Sequence, residues 1–263
     1  VKKRRSGLSL LEVTLATALM GLLLTVLGAA LKQSQEVFRN INGATDASQS
    51  LRRLAVALNR DLQRAKLDEI GITTTPASLV APDSRALWML SNIDPATGKA
   101  CYRGDGKPFW VCNILFYASI PTQHAQLFGS TCAGGAGPDG LDDRCPHKFL
   151  IRKVIDSGAA TNLSDDSTVE TLLTPAQVSA SYLTRPAKFD VSGMRSEAGV
   201  SEARLLSPLL LGFDSTKTLG EVTVNFRATT LPRAQRAIAV GTASLYNSQY
   251  TYHFGLTVVP EVR

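Results

Sequence analysis

Leu8-Ser-Leu-Leu-Glu-Val-Thr-Leu-Ala-Thr-Ala-Leu-Met-Gly-Leu-Leu-Leu-Thr-Val-Leu-Gly-Ala-Ala-Leu31 decides the architecture: 24 residues carry one charge, Glu12. From Val13 to Leu31 there are 19 uncharged residues without a break. About 20 apolar residues at ~1.5 Å rise each match a hydrocarbon core of ~30 Å, so this stretch predicts a membrane-spanning helix. Lys2, Lys3, Arg4 and Arg5 precede it. That asymmetry predicts a cytoplasmic N-terminus, with everything after Lys32 on the far side. A cleaved secretory signal has a shorter apolar core, ~7 to 15 residues, and a small-residue cleavage site beyond it. The core helix of a soluble protein lacks the one-sided basic flank. A carboxylate in a membrane helix costs about 2.5 to 3.5 kcal/mol at the centre and less near the interface, so Glu12 calls for a partner.

Lys-Lys-Arg-Arg-Ser-Gly followed by Leu-Ser-Leu-Leu-Glu-Val, residues 2 to 13, resembles the class III signal of type IV pilins and type II secretion pseudopilins. The resemblance implies that a prepilin peptidase cuts between Gly7 and Leu8 and that Leu8 becomes the N-methylated first residue. It implies that Glu12, the fifth mature residue, pairs with the N-terminal amine of a neighbouring subunit during assembly. Such a buried carboxylate is tolerable when a hydrogen-bonded cation meets it. Leu8 stands where Phe is commoner in the family, and Ala29 where main subunits often carry Pro. The implied path is a single-pass inner-membrane protein with a periplasmic or extracytoplasmic head, then a filament or pseudopilus whose partners are other pilin or pseudopilin subunits.

After the membrane segment, Leu51, Leu54, Leu58, Leu62 and Ala65 form one apolar stripe at helical spacing, with Arg52, Arg53, Arg60, Asp61 and Arg64 largely off it. No Pro interrupts residues 32 to 67. An amphipathic helix that packs its stripe on a sheet is predicted here, and its basic residues read as a solvated face. Beyond Gly71, short strand-like runs alternate with Gly, Pro, Asn and Asp. Ala86–Leu90, Asn113–Ile120, Lys148–Ile155, Glu221–Thr229 and Tyr250–Val259 are the predicted strands. Val222, Val224 and Phe226 alternate as a strand with one buried face should. Residues 156–166 and 192–201 read as loops, and 169–182 contains a short helix.

The predicted fold class is α+β, a long N-terminal helix against an antiparallel β-sheet, which is also the pilin-like architecture the resemblance implies. Its parts are a leader, 1–7; a membrane and assembly helix, 8–31; an amphipathic helix, 32–67; and a β-rich head, 68–263. The size of that head and the run Leu58-Asn-Arg-Asp-Leu-Gln-Arg-Ala65 resemble the large minor subunits, of the PilW kind in pili or the J kind in type II secretion, that sit in a tip or initiation complex.

Four cysteines, Cys101, Cys112, Cys132 and Cys145, lie beyond the membrane segment, where an oxidising compartment favours disulfides. Of three connectivities the preferred one joins Cys101 to Cys112 across a Gly, Asp and Pro turn, and Cys132 to Cys145. Zinc on Cys132, Cys145, His147 and one further ligand is the rival, without a Cys-x-x-Cys pair to support it. Asp139, Asp142 and Asp143 fall within five residues and offer the hard oxygens calcium takes, although the spacing is not that of an EF-hand and Asp-Gly is foremost a turn dipeptide.

The formal charge of +6 over 263 residues suggests a polyanion partner, but four of the 28 basic groups lie in the leader, and without it the excess is +2. Composition excludes a disordered, collagenous or polytopic chain. No Gly-x-Ser-x-Gly elbow, His-Glu-x-x-His, phosphate loop or dinucleotide fingerprint is present, so no catalytic residue is assigned and the expectation is a non-enzyme. His253 reads as a satisfied residue of a strand. The alternative to a purely structural subunit is a head that binds a surface, a secreted substrate or DNA. Tyr102, Arg103, Lys107, Phe109 and Trp110 are its candidate patch, against which stands the reading that Phe109 and Trp110 begin a buried strand.

Overall fold

The chain is described from a computed structural model that covers residues 9–74, 85–128, 147–158, 161–229 and 251–260. It divides into two units, Val1–Gly43 and Ala44–Arg263. Helix α1, Leu10–Gln63, contributes to both. In the first unit every described side chain from Leu10 to Leu31 is exposed, and the helix is long and apolar enough to cross a membrane. A helix apolar on all sides is one meant to be surrounded by lipid or by other apolar helices.

In the second unit α1 behaves differently. Leu51, Leu54, Leu58, Leu62 and Ala65 are each at most 1% exposed and join the main hydrophobic core. Arg52, Arg53, Arg60 and Arg64 face solvent as the spacing predicts. Asp61 departs from it: it is buried, and Arg152 donates through Nε to Asp61 Oδ2 at 2.8 Å. The carboxylate turns inward because the guanidinium on the sheet meets it there.

Among the described residues seven strands form one antiparallel sheet in chain order: β1 (Ile70–Thr74), β2 (Arg85–Ser91), β3 (Cys112–Ser119), β4 (Lys148–Ile155), β5 (Val200–Lys217), β6 (Val222–Thr229) and β7 (Thr251–Val258). All five predicted strands are present. Two others were not predicted: β1, and the 18-residue β5, whose first part pairs with β4 and whose last part pairs with β6 around a register shift between Leu210 and Gly212. β5 takes in Val200 and Ser201, expected in a loop, and a helical turn, Ser192–Arg195, precedes it. The short helix expected within 169–182 is present as Pro175–Gln177 and Val178–Tyr182, with a Thr174–Gln177 capping box.

β6 alternates as expected, with Val222, Val224 and Phe226 fully buried. β3 is buried at all eight positions, because both of its faces are covered. On one face Phe116 and Arg152 lie toward α1, and Ser50 meets Ser207 at 3.0 Å. On the other, the segment between β4 and β5 lies across the sheet. Trp88 Nε1 donates to Leu173 O, Asn113 Nδ2 to Thr171 O, and Tyr117 Oη to Thr184 O, at 2.7 to 2.9 Å. Lys153, fully buried on this face, donates to Tyr182 O and Thr184 Oγ1 and forms a 2.6 Å ion pair with Glu197. Burial pulls its ammonium below the usual lysine range, and Glu197 works in the opposite sense. Gly71 lies under the Trp88 ring, where a Cβ would overlap the indole.

Candidate functional site

Three places concentrate polar chemistry, and the first is the start of α1. Ser9 accepts from the Glu12 backbone N–H through Oγ at 3.2 Å, and the Ser9 backbone N–H donates to Glu12 Oε2 at 2.8 Å. The Ser9 carbonyl takes the first helical bond, from Val13 N. This is a reciprocal capping box, and it supplies an acceptor for one orphan N–H with each side chain. A reading that treats Glu12 only as an intermolecular group misses the Ser-x-x-Glu signature directly ahead of an apolar run. The other polar side chains of the apolar stretch are satisfied by their own helix: Thr14 donates to Leu10 O and Leu11 O, Thr17 to Val13 O and Thr14 O, and Thr25 to Leu22 O, at 2.7 to 3.1 Å. Lipid offers no replacement partners, so this local bonding is what a spanning helix needs. Gly7 and Leu8, the expected cleavage and methylation site, lie outside the described residues.

The second place is the hairpin-like stretch from Asn92 to Val111. Asp94 caps its first turn by accepting from Thr97 Oγ1 and Ala96 N, which hold its carboxyl below the usual range. Its second turn, Arg103 to Lys107, closes through Gly106 N donating to Arg103 O, with Gly106 at a φ of +81° that favours glycine. Asp105 accepts from the Lys107 backbone N–H and pairs with its ammonium at 3.2 Å, both of which lower its pKa. The expected Cys101–Cys112 disulfide is not formed: both are free thiols. Cys101 Sγ donates to Lys99 O, and Cys112 Sγ, at the start of β3, to Ile93 O, so the two sulfurs serve different parts of the turn. Burial pushes the Cys112 thiol up to about 12 and raises Cys101 as well. Cys132 and Cys145, and the candidate calcium ligands Asp139, Asp142 and Asp143, lie outside the described residues.

Tyr102, Arg103, Lys107 and Trp110 line a cleft of about 650 Å³, joined by Arg64 and Lys66 from the chain just after α1. Phe109 is buried in the interior instead, as the alternative reading expected, and β3 starts only at Cys112. The cleft thus unites two basic segments that the sequence keeps almost 40 residues apart. Among the described residues its one lining acid is Glu69.

The third place is a pair of buried histidines. His124 starts α2 (His124–Phe128) and His147 precedes β4, with His124 Nε2 and His147 Nδ1 3.0 Å apart. Sequence reading considered His147 as a zinc ligand beside Cys132 and Cys145, and the spacing gave no hint of its contact with His124. His253, expected as a satisfied strand residue, lies exposed on β7. Among the described residues no group of three or more His, Cys, Asp or Glu is arranged to hold a metal ion. Comparisons with family models, curated proteins and solved structures return no match for this chain.

Proposed function

We propose that this chain is a structural subunit, a minor pilin or minor pseudopilin of a type IV pilus, type II secretion or DNA-uptake filament, placed in a tip or initiation complex. One observation carries the reading: the apolar stretch of the helix that begins at Leu10 is exposed on every side, behind a basic stretch, with an acid in its first turn at the fifth position after Gly7. In this reading a prepilin peptidase removes residues 1–7 and methylates Leu8. The helix then moves from the inner membrane into a filament core of like helices, while the head stays on the extracytoplasmic side. Glu12 meets the amine of a neighbouring subunit there, and its capping box holds the carboxylate at the helix start before assembly.

The deciding measurement is intact mass and N-terminal sequence of the membrane-extracted chain, expressed with and without a prepilin peptidase. A chain that starts at methylated Leu8 only with the peptidase supports the reading. Retention of Lys2 to Gly7, or a cut beyond Leu31, overturns it. Glu12→Gln separates the two roles of the acid, because an amide still accepts from Ser9 N–H but carries no charge. Loss of incorporation in Glu12→Gln, with membrane insertion intact, is expected; normal incorporation removes the charge-pairing role.

A further inference from the structure

We propose that the cleft between the chain after α1 and the Asn92–Val111 stretch binds a nucleotide unit, a phosphate with its attached base, either as a free nucleotide or within a single strand. This inference is independent of the assembly reading.

Among the described residues four cations line the cleft against one acid, Glu69. Lys107 is held by Asp105, whereas Arg64, Lys66 and Arg103 form no ion pair among the described residues. Positive charge collected in a concave surface focuses its field on whatever enters. Guanidinium groups are planar forks matched to phosphate oxygens, and an ammonium adds a mobile point charge.

Anion chemistry alone does not account for the walls. Tyr102, next to Arg103, is 63% exposed, and the half-buried Trp110 lines the same space. Exposed rings beside cations are the combination on which bases stack while phosphates are neutralised. The volume of about 650 Å³ falls in the range of small-molecule sites and is far more than one phosphate fills. A bare anion would leave Tyr102 uncovered, and an uncharged ring would leave the cations of the cleft without a counter-charge. A ligand that carries both satisfies both.

The test is calorimetric titration of the full-length chain in detergent with adenosine 5′-monophosphate, adenosine, inorganic phosphate and a short single-stranded oligodeoxyadenylate. The mononucleotide should bind at least about tenfold more tightly than adenosine or phosphate. Arg103→Gln should erase its advantage over adenosine, and Tyr102→Ala its advantage over phosphate, each with an unchanged unfolding temperature. Lys66→Ala repeats the charge arm if Arg103→Gln does not fold. An oligonucleotide that binds more tightly than the mononucleotide, with a steep salt dependence, identifies the strand as the source; the reverse order identifies the free nucleotide. Equal binding of phosphate and mononucleotide, equal binding of adenosine and mononucleotide, displacement of the nucleotide by an equal concentration of polyuronate, or no binding by any probe each overturns the proposal.

Discussion

Residues 10–31 and 51–63 belong to the same helix, yet they solve opposite problems. In the first stretch leucines face every direction and every threonine hydroxyl bonds to a carbonyl of its own helix. In the second, leucines keep to one stripe, and the inward polar groups find partners on the sheet: Asp61 on Arg152, Ser50 on Ser207. The contrast teaches that helical geometry says little about what a helix is for. Where its polar groups find their partners says much more. A segment that satisfies itself is prepared for surroundings that offer no hydrogen bonds, and a segment that relies on distant residues is prepared for its own head domain.

The largest way to break this contrast is to empty one position in each stretch. Leu58→Ala should cost the head about 4 kcal/mol, as a fully buried leucine removed from a packed core does, whereas Leu22→Ala should leave head unfolding unchanged. Denaturant titration in detergent followed by Trp88 fluorescence reads both, and equal effects would erase the distinction. Next comes the cross-link between helix and sheet. Arg152→Met should cost about 3 kcal/mol by taking away the inward partner of Asp61 and leaving it only the more exposed Arg60, 3.2 Å away, and adding Asp61→Leu should recover much of the loss, since a buried pair is replaced by apolar contact. A double variant as unstable as the sum of two single losses would count against coupling.

A pH experiment sharpens the comparison further. Cys112 is raised from 9.0 to about 12 by burial. The unfolded chain therefore loses this proton first, and the stability held below pH 9.0 declines as pH climbs toward about 12. Cys112→Ala should flatten that alkaline limb, and Cys101→Ala, at a less buried position, should flatten it less. The smallest effect belongs to Ser9→Ala. Loss of the cap should fray the first turn of α1 by about 1 kcal/mol, seen as faster amide exchange at residues 11 to 13 with an unaltered head.

How much of this was legible depends on how far each signal reaches along the chain. The apolar stretch, the leucine stripe and five strands are local patterns of spacing, and each is where the spacing puts it. β1 and β5 are not local in that sense. Gly71 weakens β1 on propensity and is tolerated because Trp88 covers it, and Pro208 and Gly212 interrupt β5, which holds together by pairing with two different neighbours in turn. Asp61 looks like a solvated helix residue until Arg152, 91 positions away, is placed opposite. At the cleft, Tyr102, Arg103, Lys107 and Trp110 stand out together in the sequence, but Arg64 and Lys66 join them only through the tertiary fold. The cysteine spacing suited a turn and the turn is there; the two sulfurs stand in it as free thiols that face different carbonyls.

The order of the sheet has a kinetic consequence. Among the described residues every strand from β2 to β7 pairs with the described strand that precedes it. A chain that emerges N-terminus first therefore has a docking edge ready for each of these strands, and none of them waits for a partner near the C-terminus. Loop-closure entropy is met in small instalments, which favours rapid folding for an all-antiparallel sheet of this size. The 18-residue β5 is the hinge of that sequence, because its first half closes onto β4 before its second half offers an edge to β6. Pulse-labelled exchange during refolding should accordingly protect β3 and β4 amides ahead of those in β6 and β7.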